Sequence, residues 1–273
     1  MNDSARRPKL RTEEGLHPGV ASALEKYSRT GESGVLVRYL SANSNLPGPR
    51  ANLALLEAFS SELRKLCEGS PERFWRLSIQ LCAAADEFVA MCGARGVGQV
   101  GGSSDSYYLR SVTKLRSLAS DPRWRVREAT AMSLQGLIVD RPETAGRLEV
   151  WAKDGNWLEM RAVAAGVAEP RLMKSAGFAM KALDLHRLIV GRLAGSGDRE
   201  SEGFGALRKC LAYSISVVVA AAPEEGFPFL RDLAGRPDSD LAWICGQNLK
   251  KNRLRSKFPE DVAAIERILG RGA

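Results

Sequence analysis

Three features of the 273 residues predict an all-α chain built from stacked helix pairs. The first is recurrence. The helix–turn–helix stretch from Leu115 to Leu134 returns when Leu148 is set under Leu115, which places Ala152 under Ala119, Asp154 under Asp121, Gly155 under Pro122 and Trp157 under Trp124. It returns again with Leu230 under Leu115, aligning Arg231 with Arg116, Leu233 with Leu118, Pro237 with Pro122 and Leu249 with Leu134 without a gap. The second feature is helical apolar spacing along most of the chain, with no alternating strand pattern. The third is the short Asp-Pro or Asp-Gly turn between segments. A lone amphipathic pair cannot bury its faces, so neighbouring pairs must stack; the expected architecture is an α-α superhelix, a solenoid with a concave binding surface.

Residues 1–17 are polar, charged and proline-containing and are expected to be disordered, with one domain spanning residues 18–273. Val20 to Tyr27 and Gly34 to Leu40 read as two short helices, ended by Asn45-Leu-Pro-Gly-Pro-Arg50, whose prolines and glycine forbid continuation. Leu53, Leu56, Phe59, Leu63 and Leu66 mark a longer helix, and Ser70 with Pro71 opens the next as N-cap and first helical residue. The core set of that helix is Phe74, Leu77, Ile79, Leu81 and Cys82. Residues 93–106 are rich in Gly and Ser and are expected to form a loop. Within them Gly96-Val-Gly-Gln-Val-Gly101 matches GxGxxG, but a dinucleotide site needs a preceding strand and an alternating β/α chain, which these surroundings lack.

From Tyr107 the paired pattern is regular. Leu109, Val112, Leu115 and Leu118 form one stripe, and Val126, Thr130, Leu134 and Leu137 form its partner. Leu148 and Trp151 precede the second turn; Met160, Val163, Ala164 and Val167 follow it. Leu183 to Leu193 and Leu207 to Ala222 flank the loop from Gly195 to Gly203, Phe229 to Ala234 pairs with Leu241 to Leu249, and Val262 to Leu269 caps the end. Ile215 to Ala222 has the composition of a buried strand, yet a single strand has no partner in a helical array and is read as helix.

Forty basic against thirty-two acidic residues give a net charge of +8, which favours an anionic partner such as nucleic acid. Cys67, Cys82, Cys92, Cys210 and Cys245 lie in apolar stretches without CxxC spacing, so they read as reduced packing residues. No apolar run reaches membrane-spanning length and the start lacks a signal-peptide core, so a cytoplasmic location without membrane contact is expected. His17 and His186 are too few for a histidine metal site and read as surface residues; neither a metal nor a cofactor is expected.

The spacing Asp121-x4-Val126-Arg127-x3-Ala131-x2-Leu134 resembles a HEAT repeat, and Asp154-x5-Met160-Arg161 matches it with one extra turn residue. The third copy carries Ala242 where the arginine would stand. The resemblance implies that Asp121, Arg127, Asp154 and Arg161 form a structural ladder between units. Among HEAT-like proteins the chain resembles the DNA alkylation repair branch, the alkylpurine glycosylases and their relatives, through Pro49-Arg50, Trp124-x3-Glu128 and Trp157-Leu-Glu-Met-Arg161. That resemblance implies tryptophans facing a lesion, an arginine on a backbone phosphate and an aspartate where Glu128 stands. The longer side chain moves the charge by a methylene, and stabilising a developing cation depends on close placement, so no catalytic residue is assigned.

The expected function is therefore a non-catalytic scaffold that binds a protein partner on its concave face. The alternative is nucleic-acid binding through backbone charge, by Arg123, Arg125 and the cluster Lys250, Lys251, Arg253, Arg255 and Lys257, with Trp124 and Trp157 as base-stacking platforms. An active alkylpurine DNA glycosylase ranks behind both. The same residues have structural readings: the tryptophans, Trp243 included, as seam plugs, and the basic cluster as charge at a helix C-terminus. A contiguous basic face containing Trp124 or Trp157 would point to nucleic acid, and an apolar groove rimmed by mixed charge to a protein.

Overall fold

A computed structural model describes residues 17–270, so residues 1–16 of the expected disordered segment lie outside the described residues. The described residues are all-helical, with no strand among them. The helices are α1 (Pro18–Thr30), α2 (Gly34–Ala42), α3 (Leu53–Cys67), α4 (Pro71–Cys82), α5 (Glu87–Ser103), α6 (Asp105–Leu118), α7 (Trp124–Asp140) and α8 (Thr144–Asp154). They continue as α9 (Trp157–Val167), α10 (Ala176–Ala194), α11 (Glu202–Ala221), α12 (Pro223–Gly235), α13 (Ser239–Leu249), the single turn α14 (Asn252–Arg255) and α15 (Pro259–Leu269).

Local chemistry starts these helices where they start. Proline occupies the first turn of α1, α4, α12 and α15, where its missing N–H costs nothing. Side-chain oxygens of Asn52, Asp86, Asn156, Ser175, Ser201 and Asp238 accept backbone N–H groups at the starts of α3, α5, α9, α10, α11 and α13. Ser70 precedes Pro71 as expected but makes no capping hydrogen bond through its side chain.

Alternate helices form one row that runs in a single direction. Glu57 and Ser60 of α3 meet Arg95 and Gln99 of α5. Glu87 and Ala94 of α5 meet Arg125 and Ser133 of α7, and Glu128 and Gln135 of α7 meet Arg161 and Ala165 of α9. Trp157 and Arg161 of α9 meet Phe204 and Cys210 of α11, whose Arg208 and Leu211 meet Asp240 and Asn248 of α13. In every pair the residue numbers rise together, so α3, α5, α7, α9, α11 and α13 lie parallel. Helix α4 runs against α5, with Cys82 facing Gly93 and Ser78 facing Gly96.

The expected loop over residues 93–106 is a helix. Residues 93–103 belong to α5, and only the extended Ser104 separates it from α6. Phe88 through Gly98 are all buried, flanked by α3, α4, α6 and α7. A Cβ at Gly98 would stand 2.7 Å from Ser133 Cβ, one at Gly101 2.5 Å from Ser111 Cβ, and one at Gly93 2.8 Å from the Leu81 carbonyl carbon. Glycine costs a helix roughly 1 kcal/mol relative to alanine, but here it lets neighbouring backbones approach, and the tertiary packing outweighs the propensity. The GxGxxG match is part of this crossing.

Two smaller expectations also change. Leu109 is exposed, because the inward stripe of α6 is Tyr108, Ser111, Val112, Leu115 and Leu118. His186 is fully buried in α10, with Nδ1 2.8 Å from the Ala182 carbonyl and Nε2 2.9 Å from Ser214 Oγ; burial lowers its pKa to about 4. Helix α11, which contains the strand-like run, is long and apolar enough to cross a membrane by composition, and it packs between α9 and α13. Cys67, Cys82, Cys92 and Cys245 are buried and Cys210 is half-buried; all five are free thiols, and burial pushes the Cys82 and Cys245 thiols up to about 12.

Candidate functional site

A groove of about 900 Å³ lies between α7, α9 and α11. Its mouth toward the helix N-termini carries Trp124, Arg127, Glu128, Arg161, Glu200 and Glu202; toward the C-termini the wall passes Ala165 and Ala168 to Lys209 and Tyr213. Trp124 and Tyr213 are the exposed aromatics of this wall, at 53% and 49% of full exposure. Spacing explains the α11 contribution: Glu202, Ala206, Lys209 and Tyr213 recur at helical intervals, while Phe204, Leu207 and Leu211 face the core.

Ion pairs tie the row together in a repeated geometry. Arg95 of α5 bonds Glu57 of α3 at 2.9 Å, Arg125 of α7 bonds Glu87 of α5 at 2.8 Å, and Arg161 of α9 pairs with Glu128 of α7. Arg127 reaches Glu202 of α11 at 3.0 Å. In these links the arginine is recessed beneath its acid. Glu57, Glu128 and Glu202 are 61%, 44% and 82% exposed, against 7%, 14% and 9% for Arg95, Arg161 and Arg127. A net-positive chain thus presents carboxylates along this face. Arg161 Nη1, on the groove wall, is buried without a hydrogen-bond acceptor among the described residues.

The residues expected to form a ladder, Asp121, Arg127, Asp154 and Arg161, make no side-chain ion pair with one another. Asp121 accepts from the backbone N and the Nε of Arg123, both at 2.9 Å. Burial disfavours its carboxylate, but the Arg123 hydrogen bonds outweigh burial and lower its pKa. Arg127 meets this turn through the carbonyls of Asp121 and Pro122, at 2.8 and 3.0 Å. Asp154 is exposed at the end of α8 and does not pair with Arg161. Asn156, at the N-cap position that Arg123 holds in α7, caps α9 in place of Asp154, its Oδ1 accepting from Leu158 and Glu159. Arg161 is left to reach back to Glu128.

The residues expected to hold nucleic acid separate into two groups. Arg123 donates to the carbonyls of Ala84 and Cys82, closing the end of α4, and Arg125 is taken by Glu87 while stacking 4.5 Å from the Trp124 ring. Both are committed to the fold. Trp157 behaves as a seam plug, with its ring edge-on to Phe204 and Nε1 donating to Asp198 at 3.2 Å. Trp243 lies under the Arg208 guanidinium at 3.9 Å. In the basic cluster, Arg255 bonds Glu266, and Arg253 donates to Tyr213 Oη at 2.7 Å with Lys251 beside the same ring. Lys250 and Lys257 are exposed. The structure therefore brings Trp124 into the groove and joins the basic cluster to it through Tyr213. Sequence reasoning passed over Tyr213, Lys209, Glu200 and Glu202, although the polar face of α11 was there to be read.

Among the described residues no group of histidine, cysteine and carboxylate side chains is arranged to hold a metal. No model of a protein family and no curated protein matches the chain. An engineered protein solved by the Northeast Structural Genomics Consortium is similar over 90% of this chain and 97% of its own, at 16% identity and a TM-score of 0.36. The HEAT and alkylation-repair resemblance accordingly rests on the residues that carry it.

Proposed function

We propose that the chain is an α-α superhelix of HEAT-like pairs acting as a non-catalytic scaffold, with the groove between α7, α9 and α11 as the seat of a protein partner. The observation that carries this reading is the groove's lining. It combines apolar wall and two exposed aromatics with Arg127, Arg161 and Lys209 against Glu128, Glu169, Glu200 and Glu202, a mixed rim rather than a basic funnel. Aromatics of this kind are the anchors from which interfaces draw most of their energy. The test is selection from a displayed random-peptide library. Binders enriched by the natural chain should be lost with Trp124→Ala/Tyr213→Ala, whose thermal midpoint should stay near that of the parent. Binders that ignore both substitutions would place the partner elsewhere.

A second reading has one observation in its favour: Tyr213 offers a ring flanked by Lys251 and Arg253, the pairing of aromatic and cation that single-stranded nucleic acid uses. Replacing Lys250, Lys251, Arg253, Arg255 and Lys257 by Gln should then weaken binding of unrelated DNA sequences alike and flatten the salt dependence. Absence of DNA binding by the natural chain at low salt removes this reading.

A further inference from the structure

We infer that the occupant of the groove is a basic peptide segment, with a Lys or Arg side chain laid against Trp124 and reaching Glu128, Glu200 and Glu202. This rests on the proposed groove and adds the chemistry of its partner. Charge complementarity carries it. The guanidiniums of Arg127 and Arg161 are recessed and engaged, whereas the carboxylates that engage them stand exposed at the mouth. Glu200, also exposed on this rim, has no ion-pair partner among the described residues. An incoming cation therefore meets three outward carboxylates before any free cation. Trp124 completes the seat: Arg125 already stacks on its ring, which shows the indole serving a cation, and its exposed surface borders the groove.

The two ends of the groove also set a polarity. Lys209 and the Tyr213 corner with Lys251 and Arg253 close the far end with positive charge, so an acidic residue further along the same segment favours one orientation over its reverse.

The experiment is fluorescence anisotropy with a short labelled peptide of alternating Arg and Ser, its counterpart with Glu for Arg, and a single-stranded oligonucleotide. The net charge of +8 makes the comparison sharp, because unspecific attraction would favour the acidic peptide and the oligonucleotide. The basic peptide is expected to bind best, and Glu200→Lys and Trp124→Ala are each expected to weaken it by about tenfold or more. Neither residue supports a neighbouring helix through an ion pair, so both variants should fold; Glu128→Gln, which keeps a hydrogen-bond acceptor for Arg161, serves as a third. Preference for the acidic peptide or the oligonucleotide overturns the inference, as does basic-peptide binding unchanged by Glu200→Lys. If library selection yields non-basic binders that are lost with Trp124→Ala, the basic-partner inference fails and the groove reading stands; if every selected binder ignores Trp124→Ala, both fail.

Discussion

Between α4, α5 and α7 the glycines at 93 and 98 bring backbones so close that a Cβ would stand within 3 Å of neighbouring atoms, whereas Gly136 on α7 and Gly205 on α11 have nothing within 4 Å. The first region is closed: α5 is buried along its length and Arg95 is sealed beneath Glu57. The second is open, and its small residues leave the groove that Trp124 and Tyr213 border. The same residue type thus excludes space at one end of the row and preserves it at the other. What decides is the neighbouring helix, not the glycine.

The largest expected effect lies in the closed region. Gly93→Ala sets a methyl group against the backbone of Leu81 and Cys82, which cannot rotate away, and should cost about 3 kcal/mol or more in urea denaturation. A variant as stable as its parent would show that α4 and α5 are not held in this contact.

Acid should distinguish the regions next. The open region holds a buried neutral histidine under the groove, His186, bonded to Ser214. Its pKa falls from 6.5 to about 4 on folding, so between those pH values the unfolded chain takes a proton that the folded chain refuses. The stability present above pH 6.5 should therefore decline as pH drops toward 4, by about 3 kcal/mol in all. The pH dependence of the urea midpoint over this range should flatten in His186→Leu, whatever that variant's absolute stability. An equally steep profile in the variant would assign the acid response to other groups.

The closed region's charge gives a smaller and asymmetric effect. Glu57→Ala strands a buried guanidinium and should cost about 1–3 kcal/mol, while Arg95→Met releases only an exposed carboxylate and should cost less. Equal losses would mean that Arg95 is held by the Met132 carbonyl, 2.9 Å away, rather than by its ion pair.

The residues explain how much of this could be read beforehand. Helices α1 to α4, α6 to α13 and α15 were legible because apolar spacing and caps act locally, and Asp121 announced its turn through its own side chain. Helix α5 was not legible. Its glycines carry the composition of a loop, and only contact with α4, α6 and α7 reveals them as a crossing. The site was legible in part. Trp124 stood out beside two arginines, but Arg123 and Arg125 bind Ala84 and Glu87, partners that the fold alone brings near. His186 misled for the same reason: nothing adjacent in the chain signals that Ser214 will meet it.

One measurement tests the central claim, that the groove proposed as a binding site is kept open by small residues. Gly205→Phe places a ring in the groove from a position where no atom stands within 4 Å of a Cβ. Titrated with the Arg-Ser peptide and melted in parallel, the variant should keep the parent's thermal midpoint within a few degrees and lose most of the binding. A collapsed midpoint would contradict the openness of the groove, and undiminished binding would contradict its role as the site.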